Sequence, residues 1–212
     1  MKKTILALII ALPLLFNASV QAQKFNAGVI AGAVFSQVDA PDEVYQGFHQ
    51  LGYTAGFYAN LPFDEYWSAQ MELKYSLFGA HSSDKEVNEY AYSPYSLRLH
   101  YAEIPLMLRC NLGTFRLSFL TLEAGVSLDF RMRATEDVDG DYQVTTPRWN
   151  FFSATANAGV HFALNKHLGA GARFMYSIVP IRFSGYPGWF YNQYYNKVIQ
   201  LTLTYNINSP LQ

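Results

Sequence analysis

The chain has 212 residues, of which 50% are apolar, 17% aromatic and 15% charged, with a formal charge of −1 and a single cysteine. Average usage is about 25% charged, so this is a charge-poor chain with ample apolar material, which excludes disorder. The lone Cys110 excludes a disulfide scaffold, and the lack of a Lys/Arg cluster argues against nucleic acid as a partner.

Lys2 and Lys3 precede an apolar run from Ile5 to Phe16, and Val20-Gln21-Ala22 supplies small residues of the kind a signal peptidase reads. Residues 1–22 are expected to be a cleaved signal peptide, too short to anchor in a bilayer, and residues 23–212 to form one exported domain. Cleavage removes two lysines and leaves a charge of −3. The rest of the chain has no apolar run of 18 residues, so any membrane crossing there must be made by strands.

From there the sequence alternates with a period of two, the spacing of a strand with one apolar and one polar face. Eight strands are predicted, at 24–38, 50–62, 67–79, 97–111, 116–133, 149–164, 168–179 and 197–207. Trp67, Ala69, Met71, Leu73, Tyr75 and Leu77 oppose Ser68, Gln70, Glu72, Lys74 and Ser76. Leu122, Ala124, Val126, Leu128 and Phe130 oppose Glu123, Gly125, Ser127, Asp129 and Arg131. Each strand reaches the roughly 9–11 residues that a tilted crossing needs. Connections after the second, fourth and sixth strands are tight, whereas those at about 39–49, 80–96, 134–148 and 180–196 are long. Short periplasmic turns opposite long external loops are the rhythm of an outer-membrane barrel. The fold class is therefore an all-β, eight-stranded antiparallel up-and-down transmembrane β-barrel, in the cell outer membrane with lipid as its surroundings.

A charge facing lipid at midplane costs about 2–4 kcal/mol, so mid-strand charges belong inside. Arg98, His100, Arg116 and Lys197 break that rule, but near strand ends. Eight strands leave a lumen that side chains can fill. The inward set is read as Glu72, Glu103, Glu123 and Asp129 against Lys74, Arg109, Arg131, Arg133 and Arg173. Buried charges require partners. Glu72, Lys74, Glu103, Glu123 and Arg173 lie at similar depth and are expected to form one lumenal ion-pair network, which plugs the barrel.

The segments Gly28-Val29-Ile30-Ala31-Gly32, Gly52-Tyr53-Thr54-Ala55-Gly56-Phe57-Tyr58, Met71-Glu72-Leu73-Lys74-Tyr75-Ser76, Tyr101-Ala102-Glu103-Ile104-Pro105-Leu106 and Leu122-Glu123-Ala124-Gly125 resemble the PorT-type outer-membrane β-barrel family. That resemblance spans the chain after the leader and implies a small barrel of the OmpA/OmpX type. It also implies partners among secretion-complex proteins, because the founding member is implicated in type IX secretion, together with the outer-membrane assembly machinery. Such barrels commonly end on an aromatic residue, which the assembly machinery reads. Here the alternation passes Tyr205 and Ile207 and a tail, Asn208 to Gln212, follows.

No catalytic, metal or cofactor constellation is read. His49, His81, His100, His161 and His167 have no ligand spacing. His81-Ser82-Ser83-Asp84 offers triad residue types, but adjacent loop residues cannot face one another in triad geometry. Asp137-Val138-Asp139-Gly140-Asp141 resembles part of a calcium loop without its closing Glu and reads as a turn. The fourth long connection is the most unusual segment. Tyr186, Trp189, Phe190, Tyr191, Tyr194 and Tyr195 form either a partner-contact loop or an outer-leaflet aromatic girdle. The functional expectation is a non-enzymatic envelope structural or interaction protein, an accessory of protein secretion. A small-solute pore or transporter stands as the alternative, and a lipid-modifying enzyme ranks below both.

Overall fold

The computed structural model describes residues 25–39, 47–82, 94–113, 117–138, 141–144, 149–183 and 193–207. Residues 1–22, assigned to the leader, lie outside them. Eight long strands form the barrel: β1 (Asn26–Asp39), β2 (Gln50–Pro62), β3 (Trp67–His81), β4 (Tyr95–Leu112), β5 (Leu117–Val138), β7 (Phe152–Ala163), β8 (Leu168–Ser177) and β10 (Gln193–Asn206). Each pairs antiparallel with the next, and β1 pairs β10 from Gly28↔Asn206 to Asp39↔Tyr195, which closes the ring. Closure removes both sheet edges, as a structure in hydrocarbon requires. Two short strands, β6 (Asp141–Val144) and β9 (Arg182–Phe183), extend the sheet from β5 and β10.

The tight turns share one end with both termini of the barrel. Phe63 and Asp64 N–H groups donate to the Trp67 carbonyl at 3.2 Å, and the Asn165 side-chain oxygen accepts from the His167 and Leu168 N–H groups at 2.8 Å. At the opposite end the strands outrun the bilayer. β5 has 22 residues, about twice the ~9–11 that a crossing needs. The third long connection is therefore largely a hairpin of β5 with β6: Asp137 and Val138 belong to β5, and Asp141 begins β6. Among the described residues no group of three or more His, Cys, Asp or Glu is placed to hold a metal.

Exterior positions carry the apolar parity. Phe57, Met71, Leu73, Leu106, Leu108, Leu122, Val126 and Leu203 are all exposed on the outer wall, as lipid contact demands. Ala124 is exposed among them.

Two expectations require correction. The first concerns Arg133. Between His100↔Arg133 and Tyr101↔Arg131 the β4–β5 ladder shifts by one residue at Met132. Such a bulge reverses the parity beyond it. Arg133 is consequently exposed outside while Ala134 turns inward, completely buried. The second concerns the lumen, which is polar only in part. Towards the loop end, Val34, Val38, Phe78, Leu97, Leu99, Tyr101, Met175, Ile181 and Val198 form a buried apolar core with Trp149 and Tyr194. Leu97, Leu99 and Tyr101 share a parity with Glu103, so that column of β4 changes chemistry partway up the barrel.

Candidate functional site

The lower half of the lumen is built from inward positions on β3, β4, β5, β8 and β10. β8 stands diametrically across the ring from β3, so a side chain joining them must cross the whole lumen. Arg173 does so. Its Nη1 and Nη2 donate to Glu72 Oε2 and Oε1, each at 2.9 Å, and its Nε donates to Glu123 Oε1 at 2.9 Å. The guanidinium fork thus binds one carboxylate bidentately and a second through its remaining edge, the geometry that suits Arg better than Lys. Gly159 lies beside it in the β7–β8 ladder, where a Cβ would stand 3.0 Å from the Arg173 Cα and 3.2 Å from its Cβ. That glycine leaves room for the root of the crossing side chain.

The network continues on both sides. Arg109 Nε faces Glu123 Oε2 at 3.4 Å, and Arg109 Nη1 donates to Gln70 Oε1 at 2.5 Å. Gln70 Nε2 in turn donates to Glu72 Oε1 at 2.6 Å. Lys74 Nζ lies 3.2 Å from Glu72 Oε2 and 3.8 Å from Glu103 Oε2, and donates to Gln200 Oε1 at 2.9 Å. Ser76 donates to Glu103, and Ser127 and Thr155 donate to Asp129. All five expected residues, Glu72, Lys74, Glu103, Glu123 and Arg173, stand in this one connected set and are buried.

Among the described residues of that set, four carboxylates face three cations. Arg133 lies outside, and Arg131 is turned upward. Arg131 Nε and Nη2 donate to the carbonyls of Asn150 and Trp149 at 2.9 and 2.7 Å, and Trp149 Nε1 donates to Glu136 Oε1 at 2.8 Å. These bonds draw segment 149–150 over the loop-end mouth. Arg182 sits over the rings of Trp149 and Tyr194, 5.2 and 5.1 Å from their centroids. Among the described residues, packed apolar side chains and rings fill the lumen above the ions.

Below the network is a polar cavity of about 100 Å³, lined by Tyr58, Asn60, Arg109, His161, His167, Thr204 and neighbours. His161 Nε2 meets Thr204 Oγ1 at 3.0 Å, and Tyr58 donates to Asn206 Oδ1 at 2.6 Å.

Gln70 and Gln200 bridge the network without any signal in the sequence that marks them. Both alternate correctly with apolar neighbours, but nothing local shows whom they meet across the barrel. For the fourth long connection, Tyr186, Trp189, Phe190 and Tyr191 lie outside the described residues. Tyr194 does not belong to a contact surface: it is 7% exposed and packs edge-on against Trp149 at 5.9 Å. Tyr195 is half-buried and stacks on Tyr176 at 5.8 Å. In the His81-Ser82-Ser83-Asp84 segment, read from the sequence as a loop without a triad, His81 ends β3 and Ser82 is buried and bonds the Tyr95 backbone, while Ser83 and Asp84 lie outside the described residues.

A family model described as the outer membrane protein beta-barrel domain matches residues 21–182. The chain belongs to that family. This outer-membrane barrel also resembles two solved structures. Ail, the attachment invasion locus protein of Yersinia pestis, solved in complex with the heparin analogue sucrose octasulfate, is 11% identical, with a TM-score of 0.52 over 87% of this chain and 99% of that one. Neisserial surface protein A is 12% identical, with a TM-score of 0.53 over 85% and 97%. At such identity the likeness is one of fold. No curated protein matches the sequence. Fold and family together place the protein in the outer membrane.

Proposed function

We propose that this barrel is a closed, non-enzymatic envelope protein that acts through its surfaces rather than by passing solutes, as an interaction partner and an accessory of protein secretion. The observation that carries the reading is Arg173 bridging Glu72 and Glu123 across the full width of the lumen, with an apolar core packed above it. A solute would have to break buried ion pairs, at a cost of about 3–5 kcal/mol for each partner lost. The secretion role rests on the motif resemblance to the PorT-type family. Residues 1–22 would serve as the export leader, and the assembly machinery and lipid as the partners every such barrel requires.

Conductance across planar bilayers tests the closed state: silent insertion is expected, and steady single-channel steps from the wild-type protein would put the pore reading first. Affinity purification from native membranes tests the accessory role. Co-purification of secretion-complex proteins is expected, whereas recovery of the assembly machinery alone would remove it. An altered lipid A profile in a deletion strain, restored by the protein, would favour the enzyme reading instead.

A further inference from the structure

The ion network of the lumen is one positive charge short, with Glu72, Glu103, Glu123 and Asp129 against Lys74, Arg109 and Arg173. The shortfall is local. Glu72 and Glu123 share Arg173, and Glu123 has Arg109 as well. Lys74 lies nearer to Glu72, at 3.2 Å, than to Glu103, at 3.8 Å. Asp129 meets no cation among the described residues, and its two oxygens accept only from the hydroxyls of Ser127 and Thr155. Glu103 Oε2 accepts from Ser76, while Glu103 Oε1 is buried without a hydrogen-bond partner.

These two carboxylates are neighbours. Glu103 and Asp129 pair directly in the β4–β5 ladder and both turn inward, 0% and 2% exposed, which holds their Cβ atoms within about 5.5 Å of each other. Of the surrounding charges, Glu103 acts on Asp129 most strongly, ahead of Lys74. The rest of the wall offers no replacement. β3 brings Lys74 and Glu72 and β8 brings Arg173, all engaged as above, and β7 presents only Ser153 and Thr155 at this level. One step up β4, Tyr101 accepts from Asn196 of β10, and Arg131 of β5 spends its donors on the carbonyls of 149–150.

Two ionised carboxylates side by side, away from water, repel each other and lack solvation. A hard metal cation such as calcium takes 6–8 oxygen ligands, whereas this pair leaves a single oxygen unsatisfied, a gap that one O–H fills. We propose that Asp129 binds a proton and donates it to Glu103 Oε1, so that the two acids share it and the proton serves as the fourth cation of the lumen. The site needs burial at its own level and no particular partner of the barrel, so it stands or falls apart from the secretion role.

The test combines infrared spectroscopy of the folded barrel in an ester-free detergent at neutral pH with urea unfolding in lipid vesicles. The wild type should show the carbonyl stretch of a protonated carboxyl group, and Asp129→Asn should lack it. The folding equilibrium constant of Asp129→Asn should stay within about tenfold of wild type, since the amide keeps the pair neutral and at most a hydrogen bond is lost. Glu72→Gln, which breaks a true ion pair, should lower that constant at least about a hundredfold, the equivalent of ~2.8 kcal/mol. A folded wild type without the band would overturn the proposal whether or not Asp129→Asn folds. So would a loss in Asp129→Asn as large as that in Glu72→Gln. A wild-type stability that rises with sodium chloride over choline chloride at equal ionic strength, and does so only while Asp129 is present, would replace the proton by a bound metal cation and overturn it too.

Discussion

The two halves of the lumen solve one problem by different chemistry. The turn-end half is filled by ions: Arg173 crosses from wall to wall to Glu72 and reaches Glu123, and Lys74 pairs with Glu72 on its own strand and Glu103 on the next. The loop-end half is filled by packed side chains, with Phe78 against Tyr101 at 5.3 Å and Leu97, Leu99 and Met175 fully buried. An ion-filled layer depends on every partner, since one orphaned buried charge costs more than the pair contributes. An apolar layer loses only the contacts of the atoms removed and can partly relax. The halves should therefore fail differently.

The largest effect is expected at the crossing arginine. Arg173→Met leaves Glu72 and Glu123 without it and should cost about 3–5 kcal/mol, read by urea unfolding in lipid vesicles. Adding Glu123→Gln should recover part of that loss, and strictly additive effects would mean that the two do not interact. Leu99→Ala, in the apolar half, should cost about 3 kcal/mol with no polar substitution able to recover it. Outside both halves, Ala124→Arg places a cation against lipid and should cost about 2 kcal/mol or more, while Ala124→Leu should leave folding yield nearly unchanged; equal yields would reverse inside and outside. The smallest effect belongs to Lys197→Gln, which breaks a solvent-accessible pair and should change stability by less than about 1 kcal/mol. Raised salt should erase even that difference, and should leave the deficit of Arg173→Met largely intact because buried charges are poorly screened.

Much of the barrel was legible because strand alternation is a local property. Gln50–Pro62 has the predicted bounds, and the tight turns fall where Asp64, Gly113 and Asn165 interrupt the pattern. At the loop end β3 reaches His81, β5 reaches Val138 and β10 begins at Gln193, beyond the predicted bounds, whereas β7 begins at Phe152 and β8 ends at Ser177, short of them. Polar and aromatic loop residues hide strand extensions that only cross-strand pairing stabilises. The apolar upper core was readable in part, since Leu97 and Leu99 share a parity with Glu103, but a rule that inside is polar concealed it.

By itself the sequence determined the eight barrel strands, the lipid-facing parity and most of the charges that turn inward, because a period of two and the cost of charge in hydrocarbon act residue by residue. Tertiary structure alone decided which charges meet. Closure of β1 on β10 brings β8 opposite β3, so Arg173 finds Glu72 at 101 residues' distance along the chain. The β4–β5 bulge sends Arg133 outward to His100 and Arg98. Segment 149–150 folds over the mouth because Arg131 holds its carbonyls. Each of these depends on register and closure, which strands acquire only from one another.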